Sequence, residues 1–341
     1  VTAEPSTQHR FVLLDALRGL AAVFVLFRHT GQFWHFGFYR SYLAVDVFFL
    51  LSGFVIAFAY DEKLRTGAMT LGSFLLVRLI RMYPVYLLSV GLCLLIWWDR
   101  LGDVGLVLAL TALFLPWPAP GNASLFALNG PYWSLFYELV ANLLYGWIRP
   151  LLTNLVLRSV LIVAGLGVAA AAWLHGNLDS GFLWNPESYL AGFSRSLFGI
   201  FLGVLLHRHY ERLARWVSLV PPWLAFVLVG VILASPPLPG FNAAIDLACV
   251  FVAFPLLVLA ASRYRSGRGA PVLLALGAAS YPLYVVHQQM GTIVQFLTGS
   301  WVQAQAPWSG VLFLSGLLCF AVLLERRVDA PLRRWLRKTL L

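Results

Sequence analysis

The sequence predicts an all-α, polytopic membrane protein of about ten transmembrane helices around a polar central cavity, with both termini in the cytoplasm. Three observations carry that expectation. Of the 341 residues, 60% are hydrophobic and only 11% are charged, against about 45–50% and about 25% in an ordinary soluble domain. The apolar residues come in blocks of roughly 15–25 separated by short charged or Pro/Gly-rich joints, the length scale of helices crossing a hydrocarbon core about 30 Å thick. Ionisable side chains nevertheless recur inside those blocks, where burial costs several kcal/mol unless they face a polar interior.

This composition excludes a water-soluble enzyme, a disordered chain and a fibre. The formal net charge is +10, from 24 Lys and Arg against 14 Asp and Glu. Such a balance in a soluble protein would suggest nucleic-acid binding, but here the charges sit in short joints and fit orientation by positive-inside loops instead. Cys93, Cys249 and Cys319 are isolated in apolar stretches, which fits packing rather than a disulfide framework or a soft metal site.

The first block starts at Phe11 behind a short polar head containing His9 and Arg10, has no signal-peptide pattern before it, and is read as a retained span. The expected spans are 11–29, 42–60, 79–98, 132–148, 156–174, 189–206, 222–236, 243–261, 271–297 and 309–325. The block from Leu106 to Trp117 is short for a crossing and runs into Pro116, Pro118 and Pro120, so it is expected to be a partial or surface-lying helix. An even number of spans returns the basic tail to the side of the basic joints. Arg40 and Arg100 then lie opposite, and Arg18, Arg28 and Arg195 lie within spans. The whole chain, 1–341, reads as one membrane-embedded domain without a fused soluble domain. Its basic cytoplasmic tail, 326–341, is expected against anionic headgroups. The external region 99–131, with Asn122, Asn129 and Gly130, reads equally well as a lid or a plain connector.

Asp15, Arg18, Arg28, His29, Asp46, Glu138, Arg195, Asp246 and His287 fall inside or at the edges of apolar blocks. Asp15 and Arg18 share a helical face, and His29, 11 positions after Arg18, returns almost to that face about 16 Å further along. Asp46 and Glu138, near the outer starts of their spans, are expected at the depth of His29. A histidine beside a carboxylate is an oriented base able to deprotonate a hydroxyl in acyl transfer. The same pairing also serves proton-coupled transport of sugars or lipids. Metal binding is disfavoured, because His9, His35, His175, His207 and His209 are scattered over loops on both sides.

Arg78 and Arg81, three apart at the inner mouth of the third span and followed by Tyr83 and Pro84, form a candidate phosphate grip; positive-inside orientation is the plainer account. Ser52-Gly53 lacks the preceding Gly-x of a nucleophile elbow and fits close helix approach. Ser134 has no evident nucleophilic role, and there is no Walker loop or dinucleotide fingerprint.

These residues together resemble the acyltransferase-3 family of integral membrane acyltransferases. The resemblance runs through Phe11-Val12-Leu13-Leu14-Asp15-Ala16-Leu17-Arg18-Gly19 to His29, reproducing an Arg, ten residues, His signature. It continues through Asp46-Val47-Phe48-Phe49-Leu50-Leu51-Ser52-Gly53-Phe54, Arg78-Leu79-Ile80-Arg81 with Tyr83-Pro84, and Trp133-Ser134-Leu135 with Glu138. It closes on Ser280-Tyr281-Pro282-Leu283-Tyr284 with His287.

The resemblance implies transfer of an acyl group, usually acetyl from acetyl-CoA, to a hydroxyl of a cell-surface carbohydrate such as exopolysaccharide, O-antigen or glycolipid. It also implies a multi-pass protein of the bacterial cytoplasmic membrane. Some relatives acylate macrolides, so a small-molecule acceptor is the alternative within the family. By resemblance His29 is the general base, with Glu138 and Arg18 as essential partners; in the direct-transfer mechanism expected here Asp15, Asp46 or Glu138 orients it. The resemblance also makes Arg78 and Arg81 the grip for the CoA phosphates; Tyr83, which follows them, is a further candidate there, and no metal is expected. Trp133, Ser134, Asn129 and His287 are candidate acceptor-side residues.

Overall fold

The computed structural model describes residues 11–97, 104–117, 123–264, 267 and 269–341. His9, Arg10, Arg100, Pro118, Pro120 and Asn122 lie outside the described residues. Among the described residues eleven helices longer than two turns organise the fold: α1 (Val12–His29), α2 (Ala44–Arg65), α3 (Leu71–Trp97), α4 (Val104–Ala112), α5 (Tyr132–Ile148), α6 (Asn154–His175), α7 (Pro186–Arg208), α8 (Pro222–Ala234), α9 (Asn242–Ser262), α10 (Ala270–Thr298) and α11 (Trp308–Leu340). Extended pairing among the described residues is confined to isolated bridges, Trp117 with Phe126 and Ser124 with Leu183.

Among the described residues seven helices, not the ten expected, are long and apolar enough to cross a membrane: α3, α6, α7, α9, α10, α11 and the continuous stretch Tyr39–Arg65 that contains α2. The other three expected spans are helices that fall short for identifiable reasons. The 18 residues of α1 include Asp15, Arg18 and Arg28, α5 has only 17 residues, and α8 has 13. At 1.5 Å per residue α8 reaches about 20 Å, against about 30 Å of hydrocarbon. Counting apolar blocks treats a charged or abbreviated helix as equal to a full crossing, and that overstated the number. The nine residues of α4 are also too few to cross.

Two small-residue crossings set the geometry. α1 packs most extensively against α10, and the helices run parallel, since Gly19 meets Leu276 and Thr30 meets Gly291. A Cβ on Gly19 would lie 2.5 Å from the Leu276 carbonyl oxygen, and one on Gly277 would lie 2.6 Å from Asp15 Cβ. Only glycine permits this approach. α2 crosses α7 in the same way: a Cβ on Gly53 would fall 1.9 Å from the Ile200 carbonyl oxygen, and one on Gly203 2.3 Å from that of Leu50.

Buried ion pairs pin the bundle at both ends. At the end where α1 starts, here the lower end, Asp61 of α2 accepts from Tyr145 at 2.5 Å, Arg149 at 2.7 Å and Arg208 at 3.2 Å, drawing α2, α5 and α7 together. Toward the upper end Arg195 of α7 donates to Asp46 of α2 from Nε at 3.0 Å and Nη2 at 2.6 Å. Arg40 lies 3.3 Å from Asp246, whose other oxygen accepts from the Tyr42 hydroxyl at 2.8 Å. These pairs account for the charges of Asp46, Arg195 and Asp246 inside apolar sequence: each is buried with its counter-ion.

Candidate active site

The stripe on α1 faces a succession of cavities between this helix and α2, α3, α5 and α10. The lower cavity, about 270 Å³, is lined by Asp15, Arg18, Arg81, Tyr281, Glu325, Asp329 and Arg333. Asp15 and Arg18 are 3.5 Å apart there. Arg333 folds back to pair with Glu325, so this tail arginine belongs to the cavity wall. Arg326, Arg327, Arg334, Arg337 and Lys338 remain exposed.

The middle cavity is narrow, about 60 Å³, and shares Arg18, Arg81, Ser280 and Tyr281 with the lower one. Glu138 lies here, where its Oε1 accepts from Ser52 Oγ at 2.6 Å and from Arg78 Nη2 at 2.7 Å. Arg78 is buried and committed to Glu138, leaving Arg18 and Arg81 as the guanidiniums common to both cavities. Tyr83 packs instead against the rings of Phe114 and Tyr86 at 5.4 and 6.1 Å, away from these cavities.

The upper cavity, about 400 Å³, contains His29 and is bounded by Arg28, Tyr42, Trp133, Asp179, Phe182, Arg195 and Tyr284. Val45 and Tyr284 line both this cavity and the middle one. His29, the last residue of α1, has Nδ1 2.9 Å from the Val25 carbonyl oxygen and 3.2 Å from His287 Nε2. Arg28 is paired with Asp179, which arrives from the connection between α6 and α7. The Arg195 guanidinium stands 5.4 Å over the Trp133 ring while holding Asp46.

The structure thus brings His29 together with His287 and Trp133, and places the expected carboxylates elsewhere. Asp46 is bound to Arg195, Glu138 to Arg78 in the middle cavity, and Asp15 to Arg18 in the lower one. Ser134 touches the Tyr284 hydroxyl at 2.5 Å. Asn129 is buried, and its side chain donates to the Val285 carbonyl at 3.2 Å, clasping the segment before α5 to α10. Residues 125–129 are buried throughout, which suits a packed wall of the upper end rather than an open connector.

Asp179 escaped the sequence reading, and Tyr284 was named there only within its signature, without a role at the site. Asp179 sits in a short polar connection with no periodicity to mark it, 151 positions from its partner. Tyr284 was visible as one of two tyrosines three apart on α10, a spacing that puts both on one face toward the cavities. Among the described residues no group of three His, Cys, Asp or Glu is arranged to hold a metal.

Comparison with known proteins places this architecture. The chain is similar to "Protein 2 in picA locus" of Rhizobium radiobacter, with 42% identity over 187 residues, covering 49% of this chain and 97% of that protein. No solved structure matches it. Residues 11–326 match the acyltransferase domain of the acyltransferase-3 family, a span that takes in α1 through α10, most of α11 and every cavity residue named above except Asp329 and Arg333. The chain therefore belongs to the acyltransferase-3 family of membrane acyltransferases.

Proposed function

We propose that this protein transfers an acyl group, acetyl from acetyl-CoA, to a hydroxyl of a cell-surface carbohydrate such as exopolysaccharide, O-antigen or glycolipid, in the bacterial cytoplasmic membrane. The observation that carries this reading is the series of adjoining cavities, in which Arg18 and Arg81 stand at the lower neck and His29 in the upper chamber, with Tyr284 between. The exposed basic residues of the α11 end fit a cytoplasmic lower end. There an acyl-CoA meets the Arg18 and Arg81 guanidiniums, whose planar forks suit phosphate. The narrowness of the middle cavity favours a short acyl group over a long one.

In the upper chamber Trp133 and Phe182 offer apolar faces to a sugar ring, and the Arg28–Asp179 pair offers donors and acceptors to its hydroxyls. His29 Nε2 takes the acceptor hydroxyl proton as that oxygen attacks the thioester carbonyl carbon. The carbon–sulfur bond then breaks, and the departing thiolate recovers the proton from His29, giving the ester and free CoA. Glu138 holds Arg78, and with it the balance of charge around the donor's path.

The test is turnover by purified protein in lipid vesicles, wild type beside His29→Ala, with labelled acetyl-CoA and an extracted surface-glycan fraction. Free CoA and labelled glycan are read together. Label in glycan only with His29 present is the expected result. Equal labelling by His29→Ala, or glycan movement across the vesicle without CoA release, would overturn the reading.

A further inference from the structure

The hydrogen bonds of the two facing histidines determine which nitrogens carry protons. Carbonyl oxygens only accept, so a ring nitrogen bonded to one must be an N–H. His287 is fully buried, and its Nδ1 lies 2.8 Å from the Tyr284 carbonyl oxygen and 3.2 Å from that of Leu283. His287 Nδ1 is therefore the donor, and its Nε2 carries a lone pair. That lone pair faces His29 Nδ1 at 3.2 Å, which also lies 2.9 Å from the Val25 carbonyl oxygen. His29 Nδ1 thus donates to two acceptors, and its proton-free nitrogen is Nε2, the one left for the upper chamber.

We propose that His287 is a positioning residue for His29. By accepting from Nδ1–H it fixes the His29 tautomer, aims Nε2 at the acceptor hydroxyl, and shares the charge of the imidazolium once the proton has been taken up. This inference rests on the reading of His29 as the base. It assigns the orienting role, expected of a carboxylate, to a neutral imidazole. A neutral partner suits this place, because Asp15, Asp46 and Glu138 are each committed to an arginine, and Asp179 is paired with Arg28.

The geometry has a structural origin. α1 and α10 run parallel from the Gly19/Gly277 crossing, and each histidine stands ten residues beyond its glycine, so the two rings arrive at the same height. The backbone carbonyls of Leu283 and Tyr284 lie one turn below His287, which is where a ring seeking an acceptor on its own helix finds one. Every hydrogen bond in the chain from the α10 backbone to His29 Nε2 points one way, so a reversal at any link would present an N–H to the acceptor where a lone pair is needed.

Two measurements test this. In protein with ¹⁵N-labelled histidine in lipid nanodiscs, the ring nitrogen shifts are expected to show both His29 and His287 as Nδ1–H tautomers. Assignment uses the signals lost in His29→Ala and His287→Gln. An Nε2–H tautomer at either residue overturns the proposal, whatever the activity. In turnover assays His287→Leu is expected to lower kcat by about 10²-fold with KM for donor and acceptor little changed. His287→Gln, whose Oε1 can accept near the position of Nε2, is expected to recover at least tenfold of that loss. Full activity of His287→Leu, or a Gln variant no better than Leu, overturns the proposal while His29→Ala remains inactive. An active His29→Ala would instead sink the underlying assignment of the base. The tautomer readout does not depend on turnover, so it decides the question even where a folded variant has lost all activity.

Discussion

The hydroxyl of Tyr284 lies 2.5 Å from Ser134 Oγ, and the same tyrosine forms a wall of both the chamber containing His29 and the narrow cavity containing Glu138. A side chain in that position separates two compartments, and its bond to Ser134 holds it across the opening. Removing the ring with Tyr284→Ala should join the compartments and admit water to the thioester. The expected outcome is an increase of about tenfold in CoA release without acceptor, equivalent to about 1.4 kcal/mol of barrier. Comparing free thiol with labelled glycan reads it directly; unchanged acceptor-independent release would show that Tyr284 does not partition the path.

Arg78 and Arg81 share a helix face but have different surroundings, and their substitution should have different consequences. Arg78 is buried against Glu138, so Arg78→Ala leaves a carboxylate uncompensated and should destabilise the fold by about 3–5 kcal/mol. Arg81 lines the lower and middle cavities together and should contribute to donor binding. Arg81→Ala is expected to raise KM for acetyl-CoA by about 10-fold or more, the scale of one charge-assisted contact, with the thermal midpoint nearly unchanged. Thermal unfolding in detergent and donor titrations on the same preparations separate the two.

Asp46 and Arg195 make two charge-assisted hydrogen bonds while almost wholly buried. Either truncation alone, Asp46→Ala or Arg195→Ala, should cost about 3–5 kcal/mol because the remaining charge has no counter-ion. The pair Asp46→Leu with Arg195→Met should recover much of that loss. A double variant as unstable as the sum of the singles would mean that the two side chains act independently.

The glycine crossing yields a contrast within one residue type. Gly277→Ala places a methyl 2.6 Å from Asp15 Cβ and should destabilise by about 1–3 kcal/mol, with loss of activity as α1 and α10 separate. Gly91→Ala, on the exposed face of α3 with open space around it, should be neutral or stabilising by up to about 1 kcal/mol. Midpoints of thermal unfolding for the two variants check this.

Much of this architecture was legible in the residues. The helical stripe Asp15, Arg18, His29 follows from spacing alone, and the structure lays it along the successive cavities. Gly53 was expected to permit close helix approach, and it meets the Ile200 backbone. The choice of partner was not legible, because pairing depends on depth and rotation of helices distant in sequence. Asp46 and Arg195 are 149 positions apart, and His29 and His287 are 258. The number of crossings was overstated for a related reason. Apolar composition marks α1, α5 and α8 as helices of the bundle but gives no weight to the charges of α1 or to the short lengths of α5 and α8.

The equal spacing of glycine and histidine on α1 and α10 ties the lengths of two distant segments to each other. A single residue inserted between Gly19 and His29 would swing the imidazole by about 100° and raise it about 1.5 Å, breaking its contact with His287. The same insertion between Gly277 and His287 would restore the height but turn the two rings to opposite sides, whereas seven residues in each segment, about two whole turns, would keep both height and direction. Insertions and deletions in these segments are thus expected to survive only as matched pairs of whole turns, a constraint on chain length rather than on residue identity.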